Sequence, residues 1–171
     1  MGTEIERKFL VVDSSWRSDV TTTQVLRQGY LSDALERVVR VRLVDNVAGF
    51  LTIKGKRIGD GRPEFEYEIP PGHALFMLDH LCIRPLVEKQ RSTLNRGPGT
   101  WTVDEFYAEN EGLVLAEIEL PDGVPAPDAA ILPPWVGPEV TTDDRYANSS
   151  LASHPFARWA GAPPVMPSAR P

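Results

Sequence analysis

The chain has 171 residues, with 18 Lys and Arg against 24 Asp and Glu, and a formal net charge of −6. That length suits one domain with a substantial core, and the acidic total argues against broad, sequence-independent nucleic-acid binding. Cys82 is the single cysteine, so an internal disulfide and a cysteine-based metal site are both excluded.

No stretch reaches membrane-spanning length, and the apolar run Phe9–Val12 is too short for a signal peptide. The expectation is a cytoplasmic protein with neither a nucleic-acid nor a membrane partner. Alternating and β-branched runs predict strands over Thr3–Val12, Gln24–Leu31, Glu36–Val44, Gly49–Lys56 and Arg62–Ile69. Further strands are expected over Ile83–Leu94, Thr100–Tyr107 and Leu113–Leu120. Gly59-Asp60-Gly61 and Arg96-Gly97-Pro98-Gly99 read as hairpin turns, with Asp45-Asn46 a weaker one.

Between them, His73–Leu81 reads as a short helix with Leu75, Phe76, Leu78 and Leu81 as its apolar set. Other short helices are expected over Pro127–Leu132 and Arg145–Ala152, with Asp143-Asp144 capping the latter. Residues 1–160 form one expected domain, and 161–171 a Pro-rich flexible tail. Eight strands are about the number that closes a small antiparallel barrel. The fold class is therefore mainly β, a closed eight-stranded antiparallel barrel with a few short helices outside it and at one end.

Charges recur at every second residue. They give Glu4, Glu6 and Lys8; Arg40 and Arg42; Lys54 and Lys56; Glu64, Glu66 and Glu68; Lys89 and Arg91; and Glu117 and Glu119. Residues two apart on a strand share a face, and in most of these strands the apolar residues take the other parity. A barrel with a salt-bridged exterior is the plain alternative. Two helices need apolar cover, however, and an apolar outer face under them leaves the charges lining the bore.

With Asp104 included, eight carboxylates face seven basic side chains, a net −1. Burying that many ions is costly without partners. Divalent cations and a compact polyanion would supply partners for both signs, so chelation is expected to weaken substrate binding as well as turnover.

The opening Glu4-Ile5-Glu6-Arg7-Lys8-Phe9-Leu10 resembles the signature of CYTH domains, the triphosphate tunnel metalloenzymes. Supporting matches are Gln28-Gly29-Tyr30-Leu31, Arg40-Val41-Arg42, Thr52-Ile53-Lys54-Gly55, Glu64-Phe65-Glu66-Tyr67-Glu68, Lys89-Gln90-Arg91, Val103-Asp104-Glu105-Phe106 and Leu115–Leu120. The stretch from Glu139 to Ala152 is similar to the short bacterial branch. The resemblance implies a tunnel binding triphosphate with Mg²⁺ or Mn²⁺, Glu4, Glu6, Glu117 and Glu119 being metal ligands. Asp104 and one of Glu66 or Glu68 would serve a second metal. Lys8, Arg40, Arg42, Lys54, Lys89 and Arg91 would bind the small polyanionic substrate, while Lys56 and Glu64 stand near strand ends.

Glu4, Glu6, Lys8 and Glu119 are the expected catalytic residues for hydrolysis of inorganic tripolyphosphate to pyrophosphate and phosphate. Hydrolysis of nucleoside or thiamine triphosphate, adenylyl cyclase activity and polyphosphate binding without catalysis remain alternatives. Exposed apolar strand faces would favour a homodimer.

Overall fold

The alternation of charged and apolar residues folds into one antiparallel sheet. The computed structural model of the protein describes residues 5–34, 36–56, 63–97, 99–120 and 132–159. Its strands are β1 (Ile5–Val11), β2 (Val20–Ser32), β3 (Arg37–Val44), β4 (Ala48–Gly55), β5 (Glu64–Ile69), β6 (Val87–Leu94), β7 (Thr100–Phe106), β8 (Val114–Leu120) and β9 (Val136–Glu139). Helix α1 (Pro71–His80) follows β5, and α2 (Asn148–Ser153) follows β9. Glu4, the Gly59-Asp60-Gly61 turn, residues 127–131 of an expected helix and the expected tail lie outside the described residues.

The closed eight-stranded barrel is corrected. Among the described residues the sheet has nine strands in the order β5-β4-β3-β2-β6-β7-β8-β1-β9 and is not closed into a barrel. β8 takes one edge of β1 through Glu6↔Glu119 and Lys8↔Glu117. β9 takes the other through Phe9↔Glu139 and Val11↔Val136, so that edge is not available to β5. The ninth strand carries Gly137-Pro138, a dipeptide that argues against strand in a sequence and is tolerated at a sheet edge.

Parity sorts the two faces. On the outside, Phe9, Val11, Trp101, Val103 and Ile118 pack with Trp16 and Trp135. Further along, Val41 and Leu43 pack under Ala74 and Leu78 of α1. Of the apolar set expected for that helix only Leu78 is buried; Leu75, Phe76 and Leu81 are exposed by 41%, 59% and 57%. Ala74, whose small side chain gives little periodic signal, takes the inner position.

The charged parity turns inward, and at one end of the sheet the same parity is apolar. There Leu10, Tyr30, Val38, Val87, Phe106 and Leu115 share the inward parity and pack against Tyr146, Leu151, Ala152 and Phe156. α2 and the short turn after it therefore plug that end. Asn110, fully buried, ties the plug down: its Oδ1 accepts from the Phe156 amide at 2.8 Å and its Nδ2 donates to the Leu151 carbonyl at 3.4 Å. Asp143 accepts from the Arg145 amide at 3.1 Å, but it caps only the short 3-10 turn Asp144–Tyr146. The helix expected over Arg145–Ala152 is corrected to Asn148–Ser153, which has no side-chain cap. No helix among the described residues is long and apolar enough to cross a membrane.

Candidate active site

The curled sheet encloses a cleft of about 420 Å³. Its inner face is lined by Glu6 and Lys8 from β1, Arg40 and Arg42 from β3, and Lys54 from β4. Glu64 and Glu66 come from β5, Lys89 and Arg91 from β6, and Glu117 and Glu119 from β8. Thr100 and Thr102 of β7, Ala147, Asn148 and Ser149 at the plug, and Leu26, Gln28, Tyr30 and Val38 of β2 and β3 complete the wall. The turn between β6 and β7 brings Gly99 so near this site that a Cβ there would lie 2.5 Å from the Glu119 carbonyl oxygen, and its φ is +85°. Only glycine suits both conditions.

One wall is a buried ionic network. Asp104, 1% exposed, accepts from Lys89 Nζ at 2.5 Å and from Arg91 Nε and Nη2 at 2.7 Å each. Arg91 Nη2 also donates to Glu117 at 2.6 Å, and Lys8 Nζ donates to the other Glu117 oxygen at 2.8 Å and to Glu6. Burial opposes charge on Lys8, but Glu117 and Glu6 outweigh it and raise its pKa. Burial likewise works against the Glu117 carboxylate, yet Lys8 and Arg91 hold its pKa far below the usual range. Lys89 is the exception: desolvation exceeds the pull of Asp104 and lowers its pKa to about 8.

The other wall is half exposed. Glu66 accepts from Arg40 at 3.3 Å and from Arg42 at 3.0 Å, and the buried Thr52 hydroxyl donates to it at 2.7 Å. Lys54 pairs with Glu64 at 2.6 Å. Arg40 Nε and Arg42 Nε are buried and have no hydrogen-bond partner among the described residues. A buried unpaired donor is costly, so both guanidinium groups are poised for an acceptor. Desolvation, with Arg40 close by, lowers the pKa of Arg42.

Most of the sequence-predicted residues thus meet around one cleft. Asp104 and Glu68, expected at a second metal, are not among the cleft-lining residues. Asp104 lies beneath the lining with both oxygens taken by Lys89 and Arg91. Lys56 is exposed and faces Glu36 at 3.9 Å. Among the described residues no three His, Cys, Asp or Glu side chains are grouped as a ready metal cluster; Lys8 stands between Glu6 and Glu117. Sequence reasoning missed Thr100, Thr102 and Asn148 as lining residues. Parity was an available signal for the two threonines, whereas nothing local marks Asn148.

The CYTH domain family matches residues 2–131. An inorganic triphosphatase of Acetivibrio thermocellus is 47% identical over 161 residues, covering 93% of this chain and 99% of that protein. An inorganic triphosphatase of Nitrosomonas europaea is 33% identical over 156 residues, 88% of this chain and 97% of its own. A crystal structure of an inorganic triphosphatase superposes with a TM-score of 0.64 at 34% identity, covering 89% of this chain and 95% of that one.

Proposed function

This chain belongs to the CYTH domain family, and we propose that its cleft binds inorganic tripolyphosphate and hydrolyses it to pyrophosphate and phosphate. The observation that carries this reading is the adjacent pair Arg40 and Arg42. Their buried Nε donors lack partners among the described residues, while Lys8, Lys54, Lys89 and Arg91 face the same space. A phosphate chain satisfies such donors: each group offers several acceptor oxygens, and guanidinium meets them in a fork. The two relatives named inorganic triphosphatases, aligned over nearly their whole length, favour a bare phosphate chain over a nucleotide.

The donor set suits a hard divalent cation. Glu6, Glu117 and Glu119 offer only carboxylate oxygens from adjoining strands, and the Lys8 ammonium already serves as the positive charge between two of them. Mg²⁺ or Mn²⁺ would be held by Glu6, Glu117 and Glu119, with Glu4 of the same parity. When bound, such a cation neutralises charge on phosphoryl oxygens and acidifies water.

The protein's own side chains would do the rest. Arg40, Arg42 and Lys54 grip the chain along the open wall. Lys89 and Arg91 hold it from the network side, and Lys8 orients a phosphate beside the carboxylates. Attack of water forms a new P–O bond while the anhydride P–O bond breaks; pyrophosphate leaves with the bonding pair, and the proton released by the water passes to the leaving pyrophosphate or to solvent. Fixed cations around the equatorial oxygens stabilise the charge of that transition state.

Phosphate release from tripolyphosphate, ATP and thiamine triphosphate, measured with Mg²⁺ and with Mn²⁺, tests the reading. The expected result is fastest release from tripolyphosphate, with a chelator abolishing turnover and weakening binding by about tenfold or more. Tight binding without turnover under either metal would overturn it.

A further inference from the structure

We propose that Asn148 is a positioning residue of the cleft, fixing the Lys89 ammonium so that it meets the phosphate chain. The inference rests on the reading of the cleft as a triphosphate site. Lys89 Nζ has two partners, Asp104 Oδ2 at 2.5 Å and Asn148 Oδ1 at 3.1 Å. An ammonium has three donors and no acceptor, so the amide must turn its oxygen toward it. The third N–H has no partner among the described residues, and Lys89 lines the cleft.

Asp104 fixes only one of the three N–H directions of this ammonium. Its carboxylate is shared with Arg91, which takes both oxygens, and a lysine stem has four rotatable bonds. The second anchor comes from 59 residues further along the chain, on a segment that cannot easily shift. Leu151 and Ala152, three and four residues after Asn148, are 0% and 1% exposed in the plug. The buried Asn110 side chain clamps the Leu151 carbonyl and the Phe156 amide. The plug therefore does more than close one end of the cleft: it sets the direction of a cation on the cleft wall.

A double-mutant cycle on the full chain with Mg²⁺ and tripolyphosphate tests this. N148A is expected to raise KM about tenfold and to change kcat by less than about threefold, the signature of a lost binding contact. In a K89M background the same change should move KM by less than about twofold, because its effect passes through the missing ammonium. N148D, which keeps an acceptor of the same shape, should restore KM to within about threefold of the parent, and that pair is readable without any Lys89 variant. An unchanged KM in N148A, a loss not rescued in N148D, or additive losses in the cycle would overturn the proposal. A parent protein that neither binds nor cleaves tripolyphosphate is a different result: it would remove the reading of the cleft itself.

Discussion

The two walls of the cleft use the same chemistry under opposite conditions. On the β6–β7–β8–β1 side, every strand has a neighbour on both edges, and the Lys89 and Asp104 side chains are 2% and 1% exposed. On the β3–β4–β5 side the sheet ends at β5, and the Glu64 and Glu66 side chains keep 33% and 35% of their surface. The first wall is a closed network whose geometry is set before any ligand arrives. The second leaves two guanidinium donors unpaired among the described residues. Burial thus divides labour that composition alone does not: one wall is preorganised, the other is completed by its ligand.

Deleting one carboxylate from each wall is the hardest test of that division. Asp104→Ala leaves Lys89 buried with only an amide partner and strips Arg91 of one of its two carboxylates. Breaking a buried pair by removing one partner costs about 3–5 kcal/mol. Glu66→Ala removes a partner at the half-exposed edge, where ion pairs contribute about 0–1 kcal/mol. Urea denaturation at neutral pH should separate the two variants by several kcal/mol. Equal losses would mean that the walls do not differ as argued.

Arg42→Met sharpens the contrast from the ligand's side. Its guanidinium contributes little to the fold, so stability should change by less than about 1 kcal/mol. Charge-assisted hydrogen bonds to a phosphate are each about 1.5–3 kcal/mol, so KM for tripolyphosphate should rise about 10- to 100-fold. Steady-state phosphate release and a denaturation curve on the same preparation check both halves of the statement. A stability loss as large as that of Asp104→Ala would place Arg42 in the structural wall instead.

Much of this cleft was legible in the sequence because a strand's period of two converts directly into a face. Glu6 with Lys8, Arg40 with Arg42, Lys89 with Arg91 and Glu117 with Glu119 needed no tertiary information to be put on one surface. Thr52 shares the parity of Lys54 and was readable by the same rule, but an uncharged residue raises no alarm. What escaped depends on long-range pairing. Val136–Glu139 has no strand pattern of its own and becomes one through the β1 edge, the edge a closed eight-stranded barrel would have paired with β5. Asn148 acquires its role only when the plug reaches Lys89. The α1 set failed for a related reason: Leu75 and Phe76 look like core residues, while the close approach of the helix to β3 and β4 admits Ala74.

The open sheet also has two unlike edges, and the smallest effect concerns the one that is latched. Arg7 Nε and Nη2 meet the two Glu139 oxygens at 2.9 and 2.6 Å, and the Thr141 hydroxyl adds a bond at 2.7 Å. Hydrogen bonding from Arg7, reinforced by Thr141, lowers the Glu139 pKa from 4.5 to about 2. A carboxylate depressed in the folded state contributes stability that is complete above its ordinary pKa and is lost as pH falls through the folded value. The window is therefore pH 4.5 down to about 2. Because the Glu139 side chain is 39% exposed, solvent screening limits the contribution to about 0.5 kcal/mol. Glu139→Gln should lower the urea midpoint slightly at pH 7 and lose less stability than the parent between pH 4.5 and pH 2. Parallel acid profiles for the two proteins would show that β9 is held to β1 by its backbone ladder alone.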